Sequence, residues 1–526
     1  MTTFARTRQI DEDEAGPPGS GAAASENENV GLTRSGFGSL LTSGGDERIW
    51  LDPVARRSRY GTPALPAPNE IWLSSSTASA IAANGYVAAR EAFLGLVDGR
   101  ARKRNLGDWF DDLRARIITR LGFRDCEAIL AASGTETELI ALVLAKALLS
   151  RPIANVVLAP AETGSGVMHA AAGNHFADTS VFAPDIVKGG RLAGWETDAI
   201  STIGIDIREA DGRLREAAAV DDEAAAVVER ALRSGSDVLL HVLDASKTGQ
   251  QGPTRDCARQ LSESFGDRIL VVVDACQLRC SFDDLRADLE AGFLVMVTGS
   301  KFAGGPPFCG ALLVPPSRVR QLCGMQAPAG LAAYSARMDW PSRLRGALGG
   351  GVFAAANLGV GLRWEAALSE IGRYAAIRPR RRRQIAAVFA ETVRDLIEAD
   401  PDLALLDEAT DSRKEVPSIF PIVAGDGDVE RTRLVYEALR TPLACSIRGE
   451  EREFLDRICH VGQPVVVAGR SALRICSSMP VTNFVAARLD RALDLDAAFR
   501  PIRKDVQLVF RKWAWLREQV TGSIGR

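Results

Sequence analysis

The chain has 526 residues, 46% hydrophobic and 25% charged, close to the globular average, so it can bury a sizeable core and is not disordered as a whole. Its 64 Lys+Arg against 67 Asp+Glu leave a net charge of −3, which argues against a dedicated nucleic-acid or acidic-membrane binder. The longest apolar stretch, residues 139–149, is interrupted by Lys146 and is too short to span a bilayer; the first residues lack an apolar secretory core; and nine irregularly spaced cysteines suit a reducing compartment, so a cytoplasmic protein without membrane or nucleic-acid partners is expected.

Residues 1–45, rich in Gly, Ser, Ala and acidic side chains, read as a flexible tail with too little apolar surface to offset the entropy of ordering. Residues 90–121 read as helical with a break at Gly107-Asp108. From about 128 to 315, short buried runs alternate with helical patterns: AILAAS then a helix over 136–150, ANVVLAP, DVLLHVLDAS then a helix over 256–265, RILVVVDA and FLVMVTGS. Such runs joined by helices predict a mostly parallel sheet, hence an α/β fold. Helices follow over 358–371 and 379–399, the latter opening with Pro379 and a run of arginines (Arg378 and Arg380 to Arg383) read as a solvated helix start. SIFPIV, a helix over 429–439, PVVVAG, ALRICSS and a helix over 481–499 predict a smaller α+β domain. The division expected is thus tail 1–45, large domain 46–370 and small C-terminal domain 371–526.

Four histidines, no HExxH and no paired CxxC leave no metal site to expect, and no GxxxxGK[ST] is present. GGGVFA at 349–354 fits GxGxxA but follows no predicted strand, so it does not read as a dinucleotide loop. One constellation remains. Asp274 ends the run ILVVVD, Lys301 follows FLVMVTGS, and Ser133-Gly134-Thr135 leads directly into a helix. In an open parallel sheet these three strand ends share one crevice, and the free N–H groups of the helix start suit a phosphate. A lysine for a Schiff base, a carboxylate for a pyridine nitrogen and a phosphate cradle are what pyridoxal 5′-phosphate requires.

At these residues the chain resembles the class V aminotransferase and cysteine desulfurase branch of the fold-type I enzymes that use this cofactor, over about residues 71–484 and most strongly in the middle. The resemblance implies that fold type, with a large domain built on a mostly parallel sheet of seven strands. It also implies that Ser133, Gly134 and Thr135, with Glu136 beside them, form the phosphate turn. Asp274 of D-A-x-Q is implied to meet the ring nitrogen, and Gln277 the ring hydroxyl. Thr298 and Ser300 of T-G-S-K are implied to hold phosphate, and Lys301 to carry the cofactor. Ser246, in S-K-T-G, lies in a loop expected near the cofactor, and Arg474 in A-L-R-I matches the late strand that binds the substrate carboxylate, as a planar guanidinium can. Ser300 stands where the family usually has His. Glu162-Thr163-Gly164-Ser165 occupies the ring-stacking position, leaving Thr163 by position, or His169 or His175 by chemistry, to stack.

The expected activity is that of an enzyme on an amino-acid-like small molecule, aminotransferase-like, in a homodimer across whose interface residues 74–77 and 349–357 would reach. Lys247 is the rival lysine of the crevice. A cysteine desulfurase or C–S lyase is the alternative, using Cys445 as nucleophile with its thiol activated by Arg440 or Arg448, although a small packed hydrophobe is the plainer role for that cysteine. An alternative of another class is a regulatory subunit that keeps the fold but has lost the chemistry. Cys276, within D-A-x-Q, reads as packing.

Overall fold

A computed structural model of the chain describes residues 36–97, 105–183, 185–346, 348–353, 355–407, 416–443 and 451–524. Twelve strands occur among them: β1 (Ile71–Leu73), β2 (Glu127–Ala131), β3 (Ile153–Leu158), β4 (Ile200–Ile205), β5 (Asp237–Leu243), β6 (Ile269–Ala275), β7 (Leu294–Thr298), β8 (Gly310–Val314), β9 (Leu403–Leu405), β10 (Ile419–Ala424), β11 (Cys459–Val467) and β12 (Arg470–Cys476). Seven form one sheet in the order β2-β8-β7-β6-β5-β3-β4. Only β8 runs against its neighbours β2 and β7; β4, β3, β5, β6 and β7 are mutually parallel. This is the mostly parallel α/β architecture expected.

Both faces of that sheet are covered, which is why its strands are apolar at nearly every position. In β6, Ile269, Val271 and Val273 pack with Ile117, Val227, Leu261, Leu285 and Trp364 from the helices Leu106–Arg120, Ala217–Arg233, Arg255–Phe265, Phe282–Glu290 and Leu358–Ala375. Leu270 and Val272 point the other way, into a core with Leu139, Leu142 and Val143 of the helix Gly134–Leu148. Each such side chain contributes roughly 1.5–3 kcal/mol by leaving water.

The second sheet has the order β1-β11-β12-β10-β9. Its core is made with Phe389 and Val393 of the helix Pro379–Glu398, Leu439 of Val429–Leu439, and Val509 and Trp513 of Leu495–Ile524. β1, far upstream, pairs in parallel with β11 at Ile71↔Cys459 and Leu73↔Val461. The chain therefore enters the second sheet before it builds the first, and residues 74–77 leave β1 where the two sheets meet.

Three local expectations are corrected. Gly107-Asp108 is no break: Asn105 caps the helix Leu106–Arg120 and Asp108 returns the bond in a capping box, so both residues lie in its first turn. Residues 481–499 are not one helix, because Met479–Leu489 ends at Asp490, Ala492 takes a positive φ of 62°, and Asp494 caps the next helix through Ala497 N at 2.7 Å. Residues 36–45 of the expected tail are packed. Phe37 and Leu41 are buried, and the buried Arg363 donates to the carbonyls of Ser43 (2.5 Å), Gly44 (3.0 Å) and Phe308 (2.6 Å). Two of the clustered arginines have partners: Arg381 reaches Asp490 at 2.6 Å and Arg382 lies over the Tyr374 ring.

Candidate functional site

A cavity of about 200 Å³ opens at the carboxyl ends of the parallel strands. Residues following β2, β3, β5, β6 and β7 line it, as the topology of an open parallel sheet demands. Register aligns the tips: Leu243, Asp274 and Met296 are cross-strand partners on β5, β6 and β7, and all three line the cavity. Residues that are distant in sequence thereby share one space.

The helix Gly134–Leu148 starts at this cavity. Ser133 caps it, accepting from the N–H of Thr135 at 3.2 Å. Ser133, Gly134 and Thr135 all line the wall. Gly134 is required by a close approach: a Cβ there would stand 2.8 Å from Cys276 Sγ, just beyond β6. Glu136, fully buried, receives the Ser133 hydroxyl. Burial, with the nearby Asp46 carboxylate, raises its carboxyl to about 7. The positive end of the helix dipole faces the cavity.

Asp274 has one oxygen fixed by the Cys276 N–H at 3.0 Å and lines the same space. Gln277 donates from Nε2 to the Ser76 carbonyl at 3.0 Å. Thr298 donates its hydroxyl to the Cys276 carbonyl at 2.6 Å, which leaves it an acceptor toward the cavity. Ser300 and Lys301 follow on the next turn; the Ser300 carbonyl accepts from Ser79 N at 3.2 Å and the Lys301 carbonyl from the Ser79 hydroxyl at 3.0 Å. This backbone is thus tied to the segment after β1, and both side chains line the cavity.

The loop after β3 supplies Thr163, whose hydroxyl donates to the Pro160 carbonyl at 3.1 Å. Neither alternative stacker lines the cavity: His175 is bonded to the Tyr334 hydroxyl at 2.8 Å, and His169 sits within the helix Val167–Ala171. Ser246 is buried behind the wall. Its hydroxyl donates to Glu162 at 3.0 Å and accepts from the N–H groups of Thr248 and Gln250, so its neighbour Lys247 faces the cavity instead. Arg474, 2% exposed, arrives from β12 of the second sheet. Residues 74–77, expected to reach a partner subunit, supply Ser76 and Thr77 to this chain's own cavity. Cys445 and Arg448 lie outside the described residues. Cys276, which lines the cavity, is buried, and burial pushes its thiol well above the ordinary value, which opposes a nucleophilic thiolate.

Sequence reading missed several lining residues. Arg48 and Tyr60 come from the N-terminal segment; Arg48 pairs with buried Asp46 (Nε to Oδ1, 2.8 Å) and lies over the Phe308 ring. Glu138 and His241 form a buried group with Asn155 beneath the cavity, at 3.0 Å (Asn155 to Glu138) and 2.9 Å (His241 to Asn155). His241 alternates correctly along β5 to be found; the position of Arg48 carries no local signal.

The side chains suit the cofactor expected from the sequence. A glycine-permitted helix start offers an anion cradle, Asp274 a carboxylate, and Lys301 an amine with no ion-pair partner among the described residues. No group of three or more side chains able to hold a metal ion, and no helix long and apolar enough to cross a membrane, occurs among the described residues.

No protein-family model matches the chain, and no curated protein matches it. Among solved structures it is similar to the cysteine desulfurase CsdA of Escherichia coli, at 12% identity and a TM-score of 0.51, over 86% of this chain and 95% of that one. A NifS-like protein of Rickettsia africae aligns at 13% identity and 0.49, over 85% and 99%. The glutamate decarboxylase domain of a Vibrio parahaemolyticus transaminase and decarboxylase aligns at 13% and 0.46, over 86% and 81%. The likeness to the desulfurase establishes a shared fold, the fold type the sequence led us to expect.

Proposed function

We propose that the chain is a pyridoxal 5′-phosphate-dependent enzyme acting on an amino-acid substrate, aminotransferase-like in its chemistry. When bound, the cofactor supplies an aldehyde that condenses with amines and a ring that draws electrons from the substrate Cα. The observation that carries the reading is that Lys301, Asp274 and the start of the helix Gly134–Leu148 line one cavity. In it, Lys301 would hold the cofactor and would move the proton at the substrate Cα as a general acid and base. Asp274, oriented by the Cys276 N–H, would pair with a ring nitrogen and favour its protonated form. The Ser133-Gly134-Thr135 turn, with Ser300, would hold the phosphate, and Thr163 would lie on the ring side of the cofactor. Arg474 directs a substrate carboxylate, which fixes the bond to be broken relative to the ring. We infer a homodimer, as the resemblance implies, in the cytoplasm, as the irregularly spaced cysteines suggest.

The test is spectroscopic. The purified protein is expected to absorb in the visible, and amino acids are expected to shift that band. Lys301→Ala removes covalent attachment and turnover. A colourless protein that takes up no cofactor would favour a subunit that has lost the chemistry. Alanine and sulfide released from cysteine, with loss of both in Cys445→Ser, would turn the assignment to cysteine desulfuration, the activity of the E. coli protein that shares the fold.

A further inference from the structure

Two cations that line the cavity, Lys247 and Arg474, have no acidic partner among the described residues. Arg474 has five N–H bonds, and four are engaged by neutral oxygens. Nε and Nη2 both donate to the Gln463 carbonyl (2.9 and 2.8 Å), Nη2 also to Thr77 Oγ1 (2.8 Å), and Nη1 to the Lys247 carbonyl (3.3 Å). One N–H remains, so Arg474 as placed offers a carboxylate a single bond rather than a two-pronged fork. No carboxylate stands within 4.0 Å of it among the described residues.

Lys247 lines the same cavity, half-buried, and makes no ion pair among the described residues. The wall carboxylate that acts on it, Glu162, is already used. One of its oxygens is paired with Arg208, which also holds Asp407 at 2.6 Å, and the other receives the hydroxyls of Ser246 and Thr248. Of the other charged groups of the cavity, Arg48 is paired with Asp46 and Glu138 is held through one oxygen by Asn155 and His241, while Lys301 and Asp274 are the two groups assigned to the cofactor. Burial, with Arg474 and Lys301 nearby, brings the Lys247 amine down to about 8, against the weaker pull of Glu162. A substrate with one carboxylate would neutralise one of these two heads and leave the other, half-buried or buried, uncompensated, which is costly.

We propose that Lys247 and Arg474 form a two-cation wall that selects an amino acid carrying a second anionic group on its side chain. Lys247 is then a specificity-determining residue: one anionic group takes the free N–H of Arg474, the other the ammonium of Lys247. The inference rests on the proposed function and adds the substrate class.

The test uses the cofactor-loaded wild-type protein and its Lys247→Met and Lys247→Arg variants. Binding of L-aspartate, L-glutamate, L-alanine and L-norvaline is read by calorimetry and by the shift of the visible band. Wild type is expected to bind the better dicarboxylic amino acid about tenfold or more tightly than its neutral counterpart; Lys247→Met collapses that ratio, and Lys247→Arg keeps most of it. A coloured wild-type protein with no such preference overturns the proposal while leaving the proposed function standing. So does a Lys247→Met variant that weakens all four ligands equally, or one that loses cofactor, which would place Lys247 on the phosphate. A protein that binds no cofactor at all overturns both.

Discussion

Replacing Gly134 by Ala tests how the candidate site is assembled. The new Cβ would stand 2.8 Å from Cys276 Sγ, a separation at which one of the two must move. The neighbourhood is closed, with Cys276 6% and Thr135 6% exposed, so the helix start has to lift from the end of β6. Overpacking of this kind costs about 1–3 kcal/mol, against which alanine regains at most about 1 kcal/mol of helix propensity over glycine. The net expectation is a loss of about 1–2 kcal/mol, with weaker phosphate binding because the N–H groups are displaced. Removing the sulfur reverses the sign. In a Cys276→Ala background the nearest side-chain atoms left are Cys276 Cβ at 3.6 Å and Thr298 Cγ2 at 3.8 Å, ordinary contacts, so Gly134→Ala should be neutral or stabilising there. Urea unfolding of the four proteins, with inorganic phosphate binding measured on each, gives the coupling, expected to be about 2 kcal/mol. Equal effects of Gly134→Ala in both backgrounds would refute the close packing of the helix start on β6.

Arg363→Met keeps most of the volume but abandons the buried carbonyls of Ser43, Gly44 and Phe308, for a loss of roughly 3 kcal/mol at about 1 kcal/mol each, visible as a lower melting temperature and faster proteolysis near residue 45; a change under about 1 kcal/mol would contradict the clamp. Lys247 carries charge below its value of about 8 and loses it above, so binding of a dicarboxylic amino acid should weaken as pH rises through that value. The profile measured on Lys247→Met, compared with wild type from about pH 7 to 9, should lack this component, and identical profiles would contradict it.

The sheet was legible because parallel strands covered on both faces must be apolar throughout, and runs such as ILVVVD end abruptly in polar side chains. That ending also marked Asp274 and Lys301. The rest was hidden for identifiable reasons. β1 is three residues long and pairs with a strand nearly four hundred positions away, so no local pattern announces it. The stop before Asp494 contains neither Gly nor Pro, yet Ala492, in an exposed turn, takes the left-handed conformation. Gly107-Asp108 looks like a breaker pair until Asn105 is seen to cap the same turn. At Ser246 the type of loop was read correctly but not its facing, since a hydroxyl consumed by Glu162 and by the loop's own N–H groups cannot point outward.

The covalent attachment of the cofactor is the claim on which the account depends. Borohydride reduction of the cofactor-loaded protein, followed by digestion and mass analysis, is the direct measurement: the phosphopyridoxyl mass should fall on the peptide containing Lys301. Label on Lys247, or none on a protein that nevertheless turns over amino acids, would contradict the account.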